Sequence, residues 1–257
     1  MPGSLDYAFV VLFAVLLPVF EHAVFLPRAR EAIRTGAPHA RSRLYRRVII
    51  GQWALAAAAL AIWLGAGRSA SALRLVPAGG WRLVAAIVVV GIVGLLAARQ
   101  AIAVVRASPA QRAALRPRLD AVAFMLPHTN VERDWFLALS ATAGFCEELL
   151  YRGYLVWLLQ PWVGVVGAFA ASLVLFGLGH AYQGRTSAIK ATLAGVAMSA
   201  LVIGTGWLVP AMIVHAMIDA SAGVLCFAIL GEPPVSPQAA DDAMDPSSSG
   251  STIRPRE

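Results

Sequence analysis

Glu147, Glu148, Arg152, His180, His215 and Asp219 are the residues whose types and spacing could do chemistry. All lie in strongly apolar stretches. An ionisable group placed there costs about 2.5–3.5 kcal/mol on insertion scales, and such groups usually face a bundle interior and have partners. Glu148 and Arg152 are four residues apart, so they share a helix face and can pair. Glu147 points about 100° away from Glu148 on a helical wheel. It can therefore be aimed at a different target, such as a water or a metal. His215 and Asp219 are also four apart. A carboxylate at that spacing can accept the second N–H of the imidazole and fix its tautomer. Phe176, one turn before His180, could wall the same pocket.

Two chemistries follow from this set. Glu147, His180 and His215 could bind a divalent metal such as zinc, with a further carboxylate as general base on bound water. The same groups could work without metal, a glutamate activating water and the histidines stabilising the oxyanion. Either route hydrolyses an acyl bond. Cys146 is a poor nucleophile, because a thiolate beside two carboxylates is disfavoured; it reads as a packing residue. Taken alone, Glu148 with Arg152 could be a purely structural ion pair. His22, beside Glu21, reads as interfacial, and His39 and His128 as solvated. A glutamate pair and two histidines in three separate apolar stretches are harder to dismiss.

Elements that could position these groups must be membrane helices. Of 257 residues, 59% are hydrophobic and 14% charged, and the mean hydropathy is +0.70. This composition excludes a disordered chain and argues against a water-soluble domain. Two cysteines, Cys146 and Cys226, are too few for a disulfide framework. A span needs about 20 apolar residues. The sequence predicts an all-α, polytopic transmembrane bundle of about seven spans, with six to eight compatible. They are expected at 5–26, 48–66, 83–98 (running on toward 105), 134–159, 162–180, 187–204 and 207–230. Asp6 stands where a signal peptide would be basic, so the first reads as a retained span. The net charge of +7 is distributed by side. Nearly all arginines lie in the loops after spans one, three and five and in the tail, while the opposite loops hold Arg68, Arg74 and Arg82. That asymmetry predicts a multi-pass cell-membrane protein with the N-terminus outside and the C-terminus cytoplasmic. It makes nucleic acid an unexpected partner. Residues 1–114 read as N-terminal spans with arginine-rich loops, 115–230 as a catalytic membrane core, and 231–257 as a disordered tail. Within the core, 115–131 reads equally as an interfacial helix or a plain connector.

At the polar residues the sequence resembles the CPBP family of intramembrane proteases, which includes CAAX prenyl proteases and bacterial Abi proteins. Three motifs carry the resemblance: Glu147-Glu148-Leu-Leu-Tyr-Arg152 as E-E-x-x-x-R, Phe176 to His180 as F-x-x-x-H, and His215 to Asp219 as H-x-x-x-D. They occur in the family's order, and the resemblance covers about residues 117–230. It implies a glutamate-dependent or metal-dependent endopeptidase acting on a membrane-associated protein or peptide in the bilayer. In that reading Glu147 is the general base and Glu148 pairs with Arg152. His180 and His215 bind metal or steady the oxyanion, and Asp219 orients His215. The rivals are a proton-coupled transporter, since Glu, His and Arg also build proton relays, and a non-catalytic scaffold. On straight, upright helices the three motifs would sit at different depths. A site therefore requires tilt, a re-entrant segment or a break near Arg152-Gly153.

Overall fold

Lipid offers the backbone no hydrogen-bond partners, so each crossing must satisfy its own N–H and C=O groups as a helix. The computed structural model describes residues 1–77, 79–119 and 122–231, and these contain helices and no strand. Its first three spans are α1 (Ser4–Arg34), α2 (Ala40–Gly65) and α3 (Trp81–Val105). A short helix, α4 (Pro109–Leu115), follows in the connector. The helical run Asn130–Gly179 then gives two elements, α5 (130–163) and α6 (165–179). The last two spans are α7 (Arg185–Thr205) and α8 (Val209–Leu230).

The division of the long run rests on Gly164, whose φ of 69° and ψ of 172° are non-helical. Only glycine takes such a φ at little cost. Pro161, three residues earlier, removes a backbone donor as well. Past Gly164 the chain packs back on itself. Ser172 donates to the Tyr151 carbonyl (2.9 Å), and the Phe176 ring meets Tyr151 at 5.3 Å. Six apolar runs therefore make seven crossings, as the sequence predicts.

Among the described residues, the connector before α5 is a series of short helical pieces. Ser108 and Gln111 close a capping box around α4 (3.2 and 2.8 Å). Single 3-10 turns follow at Arg116–Arg118 and Ala123–Met125. Residues 120 and 121 lie outside the described residues, as does the tail from 232 onward. Thr129 caps α5, accepting from the Glu132 N–H (3.2 Å).

The core centres on α5. Leu149, Tyr154 and Leu155 are buried against Phe9 and Phe13 of α1, Ala56 and Trp63 of α2, and Val202 of α7. Helix α3 is peripheral. Ile87, Val88, Ile92, Leu95 and Leu96 are exposed, as expected of side chains solvated by lipid. An ion pair fixes the opposite end of the bundle: the Asp6 carboxylate accepts two bonds from Arg68 (2.7 Å each) and one from the Tyr154 hydroxyl. The Arg68 guanidinium also lies over Trp157 (4.4 Å).

Two features bring distant motifs together. Over Glu148–Leu155 helix α5 widens into a π-helix, which changes the direction in which successive side chains leave the axis. This stands where a break near Arg152-Gly153 is expected. Separately, Gly144 lets α5 touch α8. A Cβ there would lie 2.6 Å from the Met212 carbonyl oxygen, 2.7 Å from the Ala216 nitrogen and 2.8 Å from the Ala216 Cβ. Those atoms bracket His215 and are mostly backbone, so a Gly144→Ala chain must move α8. Overpacking of this kind costs about 1–3 kcal/mol. The variant should melt at lower temperature in detergent. An unchanged melting temperature would show that the helices separate freely.

Candidate active site

Helix α5 supplies Glu147, Glu148 and Arg152, the end of α6 supplies Phe176 and the adjoining His180, and α8 supplies His215 and Asp219. Glu148 and Arg152 are both 0% exposed. Arg152 Nη1 donates to Glu148 Oε1 over 3.0 Å. The same oxygen lies 2.9 Å from His215 Nδ1. Glu148 thus ties Arg152 to His215, and α5 to α8. Phe176 covers the guanidinium at 4.1 Å and contacts the His180 ring at 4.5 Å and the His215 ring at 6.2 Å. Its place in the motif has a physical basis: one ring roofs the arginine and touches both imidazoles. Gly195 of α7 makes room for Arg152, since a Cβ there would lie 2.5 Å from Nη2.

Glu147 reaches toward α2 with one oxygen and toward the other nitrogen of the His215 ring with the second. Its Oε1 accepts from Gln52 Nε2 over 2.7 Å. Its Oε2 is buried without a protein hydrogen-bond partner and lies 3.9 Å from His215 Nε2. Asp219, the more exposed carboxylate, approaches that same nitrogen at 3.5 Å. Nδ1 therefore faces Glu148, while Asp219, four residues on, lies at the other ring nitrogen. His180 has its Nδ1 on the Phe176 carbonyl at 2.8 Å. Buried polar atoms without partners gather here: Glu147 Oε2, Glu148 Oε2, Gln52 Oε1, and Arg152 Nε and Nη2. Groups of this kind are rare in folded proteins and call for an explanation.

Comparison with protein families matches residues 132–221 to the model described as type II CAAX prenyl endopeptidase Rce1-like. This segment is CAAX-protease-like. It contains all three motifs, and the resemblance read from them is borne out at family level. Comparisons with curated proteins and with solved structures gave no match. Outside the CAAX-protease-like segment, α1 and α2 are nonetheless part of its setting, because α2 carries Gln52 and α1 packs on α5.

Gln52 escapes a search for charged residues in spans. It is an uncharged amide in a run of Ala, Leu and Ile, and its one signal is polarity in that company. The neighbouring Trp53 sets the register, donating to Thr142 Oγ1 (3.1 Å) and stacking on Phe145 (5.2 Å). Replacing Gln52 with Leu removes the donor to Glu147. An orphaned buried acceptor costs about 1–3 kcal/mol. Cleavage should fall roughly 10- to 100-fold, with the Trp53 contacts keeping the fold. Parallel melting and cleavage assays on Gln52→Leu check this; equal activity would separate Gln52 from the site.

A metal is the remaining question for these residues. Among the described residues no three His, Cys, Asp or Glu side chains are gathered as metal ligands. Glu147, His180 and His215 do not form such a set as they stand.

Proposed function

We propose that the chain is an intramembrane endopeptidase that hydrolyses a peptide bond of a membrane-associated protein or peptide with water activated by Glu147. The observation that carries the reading is the division of labour between the glutamates. Glu148 is engaged by Arg152 and His215, while Glu147 has one oxygen held by Gln52 and the other without a protein partner. A carboxylate oriented through one oxygen and uncommitted at the other suits a general base.

In the proposed reaction, Glu147 Oε2 takes a proton from water as the water oxygen bonds to the carbonyl carbon. The carbonyl π electrons pass to oxygen, and His215 or His180 steadies that oxyanion. Collapse breaks the C–N bond, and Glu147 returns the proton to the leaving nitrogen. Products are a new carboxyl terminus and a new amine. Glu148, Arg152 and Phe176 hold His215 in place. Asp219, 3.5 Å from His215 Nε2, limits how that ring can turn. The arginine-rich face is taken as cytoplasmic, with the N-terminus outside.

The test compares membranes with and without the protein by mass spectrometry of peptide termini, with and without a chelator. New termini that need the protein support the endopeptidase. Chelator sensitivity reversed by added zinc would assign a metal to the site, and insensitivity supports the glutamate route. Proton flux without new termini would replace this reading with a transporter.

A further inference from the structure

The arginines around the α1–α2 turn fall into two groups. Arg34 pairs with Glu31 (2.6 Å) and Arg41 with Glu132 (3.7 Å). Arg30 lies over Phe124 (4.3 Å) and Arg46 over Trp135 (5.5 Å). Arg28, Arg43 and Arg47 have neither an ion pair nor an aromatic partner among the described residues. These three line one cavity of about 460 Å³ between the ends of α1 and α2. Phe20, Phe25 and Leu44 form its apolar wall, and no carboxylate lines it. A topology signal needs arginines only on the correct side. It does not require those without an ion pair or aromatic partner, of which Arg43 also donates to the Pro38 carbonyl, to converge on a shared, apolar-walled cavity.

We propose that this cavity binds the headgroup of an anionic phospholipid. Guanidinium groups present planar donor forks that match phosphate oxygens. Arg43 and Arg47, four apart on α2, share a face, and Arg28 comes from α1. The volume falls in the usual range for small-molecule sites, about 300–1,000 Å³. A free phosphate would use the arginines alone, whereas a lipid also uses Phe20 and Phe25 along its first acyl carbons. The cavity lies at the ends of two spans, where headgroups are found. None of the residues lining the cavity belongs to the proposed active site, and its occupancy does not depend on peptide cleavage.

The test uses the full chain, purified in detergent, stripped of lipid and titrated with phosphatidylglycerol or phosphatidylcholine under native mass spectrometry. One phosphatidylglycerol should be retained with a preference of about tenfold or more over phosphatidylcholine. The triple variant Arg28→Gln, Arg43→Gln, Arg47→Gln should lose that preference. A control removing the same charge elsewhere, Arg99→Gln, Arg106→Gln, Arg118→Gln, should keep it. Ala32→Phe, which fills the cavity with every charge in place, should lose it too, and covers the case of a poorly folded triple variant. Equal retention of the two lipids by the unaltered chain would overturn the proposal. So would loss in the charge control, retention in Ala32→Phe, or competition by millimolar inorganic phosphate alone.

Discussion

Replacing Glu147 with Gln should reduce cleavage by roughly 10²- to 10⁴-fold, the range expected when a general base is removed. The fold should be untouched. Glutamine has nearly the shape of glutamate, so the packing around position 147 is preserved. One oxygen can still accept from Gln52 Nε2, which now lies 2.7 Å from Oε1. The buried guanidinium of Arg152 is paired with Glu148, and Glu147 Oε2 lies 3.9 Å from His215 Nε2, beyond hydrogen-bond reach. Melting temperature and cleavage should thus separate cleanly. A large fall in melting temperature would move Glu147 into the structural network and take away its assignment as base.

Arg152→Ala should do the reverse first, and lose activity as a consequence. Glu148 is wholly buried, and its Oε1 is shared by Arg152 and His215. Removing one partner of a buried pair leaves an uncompensated charge and costs about 3–5 kcal/mol. The cavity over Phe176 adds to that. The expected result is a large drop in unfolding stability in micelles, with cleavage lost through the displaced His215. The double variant Arg152→Met, Glu148→Gln tests the cause. A neutral, well-packed pair should recover much of the stability. It should not recover cleavage, because the charged partner of His215 Nδ1 is gone. Equal destabilisation in the single and double variants would show that the arginine acts through packing alone.

Much of this site is legible in the sequence because burying charge is expensive. Glu147, Glu148, Arg152, His180 and His215 stand out among Ala, Leu and Val. The i to i+4 spacing of Glu148 and Arg152 already implies their pair, which forms at 3.0 Å. Helix periodicity also separates the directions of the two glutamates. The seven crossings are legible for a similar reason, since apolar length is a one-dimensional property. The turn at Gly164 is less so, because a single glycine after Pro161 within an apolar run can be helix or corner.

What stays hidden is whatever depends on approach between helices. Nothing local places Glu148 on His215 Nδ1; the close contact at Gly144 and the π-helical stretch Glu148–Leu155 bring them together. Gln52 is hidden because an amide costs less to bury than a charge. Asp6 and Arg68 are far apart in sequence, and their pairing with Tyr154 emerges only once α1 packs on α5. The cavity walled by Arg28, Arg43 and Arg47 is hidden among neighbouring arginines of the same type.

The most direct test of Glu147-activated water is digestion in H₂¹⁸O. The purified chain is reconstituted in liposomes with a pool of membrane-anchored peptides, beside the Glu147→Gln variant. The account predicts new carboxyl termini carrying one ¹⁸O atom with the unaltered chain, reduced to trace with the variant. Labelled termini of equal abundance from both proteins would contradict it, as would a peptide pool that neither protein cuts.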